Sequence, residues 1–179
     1  WASFRGRLEL LRTGYLRSWV EEKSIYDEQI APQVQKHVAP HATYMAALFA
    51  VLTRMRKPMP ERFEKAVAPI VATLTAVEKA ELYAEGVLPE RLDADQAKVL
   101  RASIKDVWEE SRTYPIYEGR IGASPREVKS ALLDAAQDPR FSCLSPVAVL
   151  DELEELATRA SEYEWLQQEL MPGGYHDTK

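Results

Sequence analysis

From Pro40 onward, Met45, Leu48, Phe49, Leu52 and Met55 recur at helical spacing, the stripe of a helix buried along one face. Lys57-Pro58-Met59-Pro60 ends it, because proline lacks an amide hydrogen and disfavours helical backbone in the residue before it. Upstream, Leu8 to Tyr15 alternates as a short strand does, with nothing else in the chain to pair with it. Ser18-Trp19-Val20-Glu21 reads as a capping box that opens a helix running to about Ala31. Further helices are predicted over Glu61 to about Ala72 and from Thr75-Ala76-Val77-Glu78, a second capping box, to Gly86 as the left-handed cap. A longer helix is predicted from Leu92 to Arg112, with Val99, Leu100, Ile104, Val107 and Trp108 inward.

The pattern breaks between Ser111 and Gly122, where Tyr114-Pro115, Gly119 and Gly122 mark a linker or hinge. Ser124-Pro125-Arg126-Glu127 then combines an N-cap serine, a proline at the first helical position and a glutamate at the third, and predicts a helix reaching Gln137. Ser145-Pro146 starts another, striped by Val149, Leu150, Leu153 and Leu156, and Ser161 to Leu170 continues or follows it. The tail from Pro172 to Asp177 has no periodicity and is expected to be loose. There is no internal repeat at a fixed period. The elements together predict an all-α, bundle-like fold with at most one short N-terminal strand.

Composition narrows the function. A formal charge of −5 and a pI near 5.4 argue against nucleic acid as a partner, since a phosphate-backbone binder needs a basic face. No apolar run is long enough to span a bilayer, and Trp1-Ala2-Ser3-Phe4-Arg5 has no signal-peptide core; no membrane role is expected. The single cysteine, Cys143, forms no internal disulfide and suits a cytoplasmic setting. The chain opens at Trp1 within a patterned segment, which is the start expected of a piece of a longer protein.

Two arginines carry the candidate chemistry. Arg126 falls in the first turn of a predicted helix, beside the positive end of the helix dipole, a poor place for a cation unless an anion is near. A nucleotide phosphate gripped by the guanidinium satisfies that condition; so does an ordinary surface pair with Glu127 or Asp134. The run Gly122-Ala123-Ser124-Pro125-Arg126-Glu127, followed by Leu132-Leu133-Asp134-Ala135-Ala136, resembles the sensor 2 motif of AAA+ ATPases of the MoxR and PrkA kinds. Phe4-Arg5-Gly6-Arg7, the alternating stretch and Tyr15-Leu16 resemble the segment after sensor 1 in the same family, which departs here in having Gly14 in place of proline. That match puts Arg7 at the arginine-finger position, acting in trans on a neighbouring subunit; the plain reading is a surface arginine. The resemblance continues over about residues 4 to 60 and 117 to 175, and is weaker from 87 to 112.

What the resemblance implies is a helical lid: residues 1–17 closing the AAA+ core, 18–112 a helical region, 113–171 the sensor 2 lid helices and 172–179 a flexible tail. It further implies ATP and magnesium in the full-length parent, a PrkA-type serine protein kinase, with the remainder of the AAA+ module as partner and a homo-oligomeric ring. A complete site is not expected in this chain. It contains no Gly-x-x-x-x-Gly-Lys-Ser/Thr loop, no strand ending in Asp-Glu and no His-Arg-Asp or Asp-Phe-Gly set, so the chain alone should be inactive and carry no cofactor. His37, His41 and His176 do not share a helical face, because Pro40 interrupts the first two. Cys143 between Phe141 and Leu144 reads as a buried small hydrophobe, and Asp151, Glu152, Glu154 and Glu155 as the wet face of a helix. The competing reading is a helical protein–protein interaction module that binds a peptide or helix in an apolar groove, with both arginines structural.

Overall fold

A computed structural model describes residues 13–113 and 117–176. Its α-helices are α1 (Trp19–Gln29), α2 (Ala42–Leu52), α3 (Ala68–Ala72), α4 (Ala76–Glu85), α5 (Ala94–Ala102), α6 (Ile104–Glu110), α7 (Pro125–Gln137) and α8 (Pro146–Thr158). The few strands are two residues long, so the predicted all-α class holds. The expected N-terminal strand lies outside the described residues except for Thr13, Gly14 and Tyr15, which belong to no regular element. Among the described residues no helix is long and apolar enough to cross a membrane.

The main core joins α1 and α2 to α7 and α8. Tyr26 and Ile30 of the α1 segment, Ala42, Ala46, Ala47 and Ala50 of α2, Val128, Leu132 and Ala135 of α7, and Val149, Leu153 and Leu156 of α8 are buried together. The alanines add no bulk beyond Cβ, which lets α1 and α8 approach α2 closely. A second core, built on Ile70, Val71, Leu74, Leu82, Leu100 and Val107, holds α3 to α6. Val51, Met55, Ala76, Ala80 and Tyr175 join the two.

The strongest local signals end where they were expected. Thr75 and Ser124 head capping boxes with Glu78 and Glu127, Gly86 caps α4 at φ 68°, and α7 runs from Pro125 to Gln137. Elsewhere packing overrides pattern. Ser18 is the N-cap of α1, but its side chain makes no capping bond, and the helix stops at Gln29. The helix expected from Glu61 begins at Ala68, because Pro69 is tolerated only in a first turn; a 3₁₀ turn, Pro60–Arg62, precedes it. The long helix over Leu92 to Arg112 is instead α5 and α6, broken at Ser103, a change of direction that lets Leu100 and Val107 both enter the second core. Leu150 is 46% exposed, so the stripe of α8 is Ala148, Val149, Leu153 and Leu156. After α8 the chain makes a 3₁₀ turn, Glu164–Gln167, with Trp165 buried against Phe49.

The tail is not loose as far as His176. Strand β3 (Leu170–Met171) pairs antiparallel with β4 (Tyr175–His176) across a turn in which Gly173 and Gly174 have positive φ. Tyr175 is fully buried, and its hydroxyl donates to the Leu74 carbonyl at 3.0 Å. The Nδ1 of His176 is buried with no hydrogen-bond partner among the described residues, and burial pushes the imidazole below its ordinary value of 6.5. The unfolded ring therefore takes a proton as pH falls through 6.5, while the folded ring resists until lower pH. Stability falls across that window, since the unfolded state binds more protons there. A plot of melting temperature against pH is expected to drop more steeply below 6.5 for the wild type than for His176→Asn; equal slopes would assign the loss to other groups.

Candidate functional site

The start of α7 places Arg126 firmly. Ser124 Oγ accepts from the Glu127 amide at 3.3 Å, and Glu127 accepts from the Ser124 amide at 2.6 Å. Pro125 holds the first helical position, and Arg126, the second, is exposed. With Glu127 engaged in the cap, Arg126 has neither Glu127 nor Asp134 as an ion-pair partner among the described residues. A guanidinium left in water at the positive end of a 13-residue helix is electrostatically ready for an anion. Arg7 lies outside the described residues.

The turn before α7 is fixed by Arg54, just beyond α2. The Arg54 Nε and Nη2 donate to the Ala123 carbonyl at 2.9 and 2.6 Å. Nη1 donates to the Leu16 carbonyl at 2.9 Å and to Glu22 Oε2 at 2.8 Å, and Nη2 to Glu22 Oε1 at 2.8 Å. Every guanidinium N–H thus has an acceptor. Both charged side chains are fully buried. Tyr26 completes the carboxylate's shell by donating to Glu22 at 2.7 Å, and its phenol is pushed far up, first by burial and then by Glu22. Thr53 Oγ1 accepts from the Ala123 amide at 2.8 Å.

A second buried network sits beside the first. Glu118 Oε1 accepts from Lys79 Nζ at 2.6 Å and from the Arg56 amide at 2.8 Å. Lys79 Nζ also donates to the Arg56 carbonyl at 2.7 Å. Burial pushes Lys79 below its ordinary value, with Glu118 opposing the shift. Arg17 lies 3.5 Å over the Trp108 ring, donates to Ser111 Oγ at 2.8 Å and approaches Glu118 Oε2 at 3.7 Å. A recess of about 480 Å³ opens beside Arg17, Trp108 and Glu118, and Arg126 does not line it.

These contacts give the expected hinge a different character. Residues 117–123 are tied to the body at Glu118 and Ala123, and the Gly119 carbonyl accepts from the Tyr15 amide at 2.8 Å. Gly119 and Gly122 have φ of 80° and 138°, and each faces backbone or side chain with no room for a Cβ. Their job in this structure is close approach. Tyr114, Pro115 and Ile116 lie outside the described residues.

The remaining candidates are dispersed. His37 lies in β1 (His37–Val38), which pairs parallel with β2 (Cys143–Leu144), while His41 is the left-handed N-cap of α2. Cys143 is half-buried. No group of three or more metal-ligating side chains occurs among the described residues.

Sequence reasoning missed Glu22, Arg54, Lys79 and Glu118. A signal existed for two of them. Lys79 occupies an inward position in the series Ala76, Lys79, Ala80, Tyr83, and Glu22 does so in Trp19, Glu22, Tyr26; a charge inside an apolar stripe announces a buried partner. Arg54 and Glu118 lie in non-helical stretches and carry no such mark.

The family described as the PrkA serine protein kinase C-terminal domain matches residues 77–171. Neither curated proteins nor solved structures give a match. The matched span takes in α5 and α6, where the resemblance was weakest, together with Lys79, Glu118 and the whole of α7 with Arg126. Since it covers more than half of the 179 residues, this chain belongs to the PrkA serine protein kinase family, through its C-terminal domain.

Proposed function

We propose that this chain is the nucleotide-sensing helical lid of a PrkA-like AAA+ ATPase with Ser/Thr protein kinase activity, and that Arg126 is its sensor 2 residue. The observation that supports this most is the state of Arg126: exposed, without an ion-pair partner among the described residues, on a turn bolted to a buried arginine. In this reading Arg126 grips an ATP phosphate, while the phosphate loop and the magnesium ligands belong to the remainder of the AAA+ module. Arg7 serves the neighbouring subunit of a homo-oligomer in trans. The residues here supply orientation and charge; they hold no phosphate cradle of their own, so the chain alone is expected neither to bind ATP tightly nor to turn it over.

In the full-length protein, Arg126→Ala is expected to weaken binding of an ATP analogue by roughly 10- to 100-fold, the equivalent of losing one charge-assisted contact of about 1.5–3 kcal/mol. Unfolding free energy should change by no more than about 0.5 kcal/mol, because the side chain is exposed. Calorimetric titration and chemical denaturation measure the two quantities. Unchanged affinity would sink the sensing role and leave the helical protein–protein interaction module as the better account.

A further inference from the structure

We infer that Arg54, oriented by Glu22, is a positioning residue: one buried guanidinium that sets both the segment at Leu16 and the turn leading to Arg126. The functional half of this inference rests on the nucleotide-sensing reading above; the structural half does not.

The geometry separates Arg54 from an ordinary buried ion pair. Glu22 takes two of its N–H groups. The other three go to carbonyls of two loops distant in sequence, Leu16 and Ala123. Neither carbonyl accepts a bond inside a helix, so without Arg54 both would be left poorly satisfied beside a buried carboxylate. The loops also meet directly. The Tyr15 amide donates to Gly119, the Gly119 amide donates to the Arg54 carbonyl at 3.3 Å, and the Tyr15 ring lies 5.0 Å from the guanidinium. Gly122 completes the fit, since a Cβ there would stand 2.5 Å from Arg54 Cγ. Ala123 is three residues before Arg126. A planar fork can serve these acceptors at once; an ammonium with three donors on a flexible stem cannot.

Arg54→Lys in the full-length protein tests the inference, with Glu22→Gln as the milder variant should the lysine form fail to fold. Hydrogen exchange is expected to quicken at least tenfold in peptides covering 13–18 and 118–128 together, while peptides from 94–110 keep their protection. Quickening confined to one of the two segments, or spread evenly over the molecule, overturns the anchor. Affinity for an ATP analogue is expected to fall about tenfold in the Arg54 variant and to fall no further when Arg54→Lys is added to Arg126→Ala. A full additional loss in that background overturns positioning through Arg126. If Arg126→Ala alone has no effect, the sensing reading fails by itself, and the exchange pattern decides the anchor.

Discussion

Glu118→Ala is expected to cost about 3–5 kcal/mol of unfolding free energy, the toll of stranding a buried charge. Lys79 is the charge in question. Its side chain and that of Glu118 are both fully buried, 2.6 Å apart, and the same carboxylate takes the Arg56 amide and faces Arg17. With the carboxylate gone, Lys79 keeps only the Arg56 carbonyl among these partners, and burial already works against its charged form. The double variant Lys79→Met with Glu118→Leu should recover much of the loss, because an apolar pair of similar volume avoids the desolvation of two ions. Urea denaturation of both variants reads the result. A cost below about 1 kcal/mol for Glu118→Ala would place the pair in the solvated class, where ion pairs contribute little.

Gly122→Ala carries the second large effect. The backbone φ of 138° strains any residue with a Cβ, at about 1–3 kcal/mol. Overpacking against Arg54 Cγ at 2.5 Å and the Thr53 carbonyl at 2.9 Å adds a comparable amount. Gly86→Ala is the control: its φ is also positive, at 68°, but nothing lies within 4 Å of the added carbon. If both alanine variants lose the same stability, crowding at Gly122 is irrelevant and backbone strain alone accounts for it.

The fold was legible wherever its cause was local. Ser124-Pro125-Arg126-Glu127 and Thr75 with Glu78 and Gly86 dictate their helix ends through bonds that span at most four residues. It was illegible where the cause was remote. Nothing near Ser103 announces a break; the second core imposes it. Tyr175 sits in a stretch without periodicity and is buried because its partners, Leu74 and Ala76, lie about a hundred positions earlier. The candidate site divides the same way. Arg126 was visible because its helix start is local. Arg54 was not, because its acceptors Glu22 and Ala123 lie 32 and 69 residues away, and pattern reading assigns unpaired charges to solvent.

The parallel bridge between His37–Val38 and Cys143–Leu144 has a consequence for what counts as one unit of this protein. Residues 77–171 are the span that matches the family, yet α7 and α8 bury Val128, Leu132, Val149 and Leu153 in a core shared with α1 and α2, which lie wholly outside that span. The matched span and the packed core are therefore different stretches of chain. A fragment cut to residues 77–171 alone would leave the apolar face of α7 and α8 without the Tyr26, Ile30, Ala46 and Ala50 side chains that help bury it.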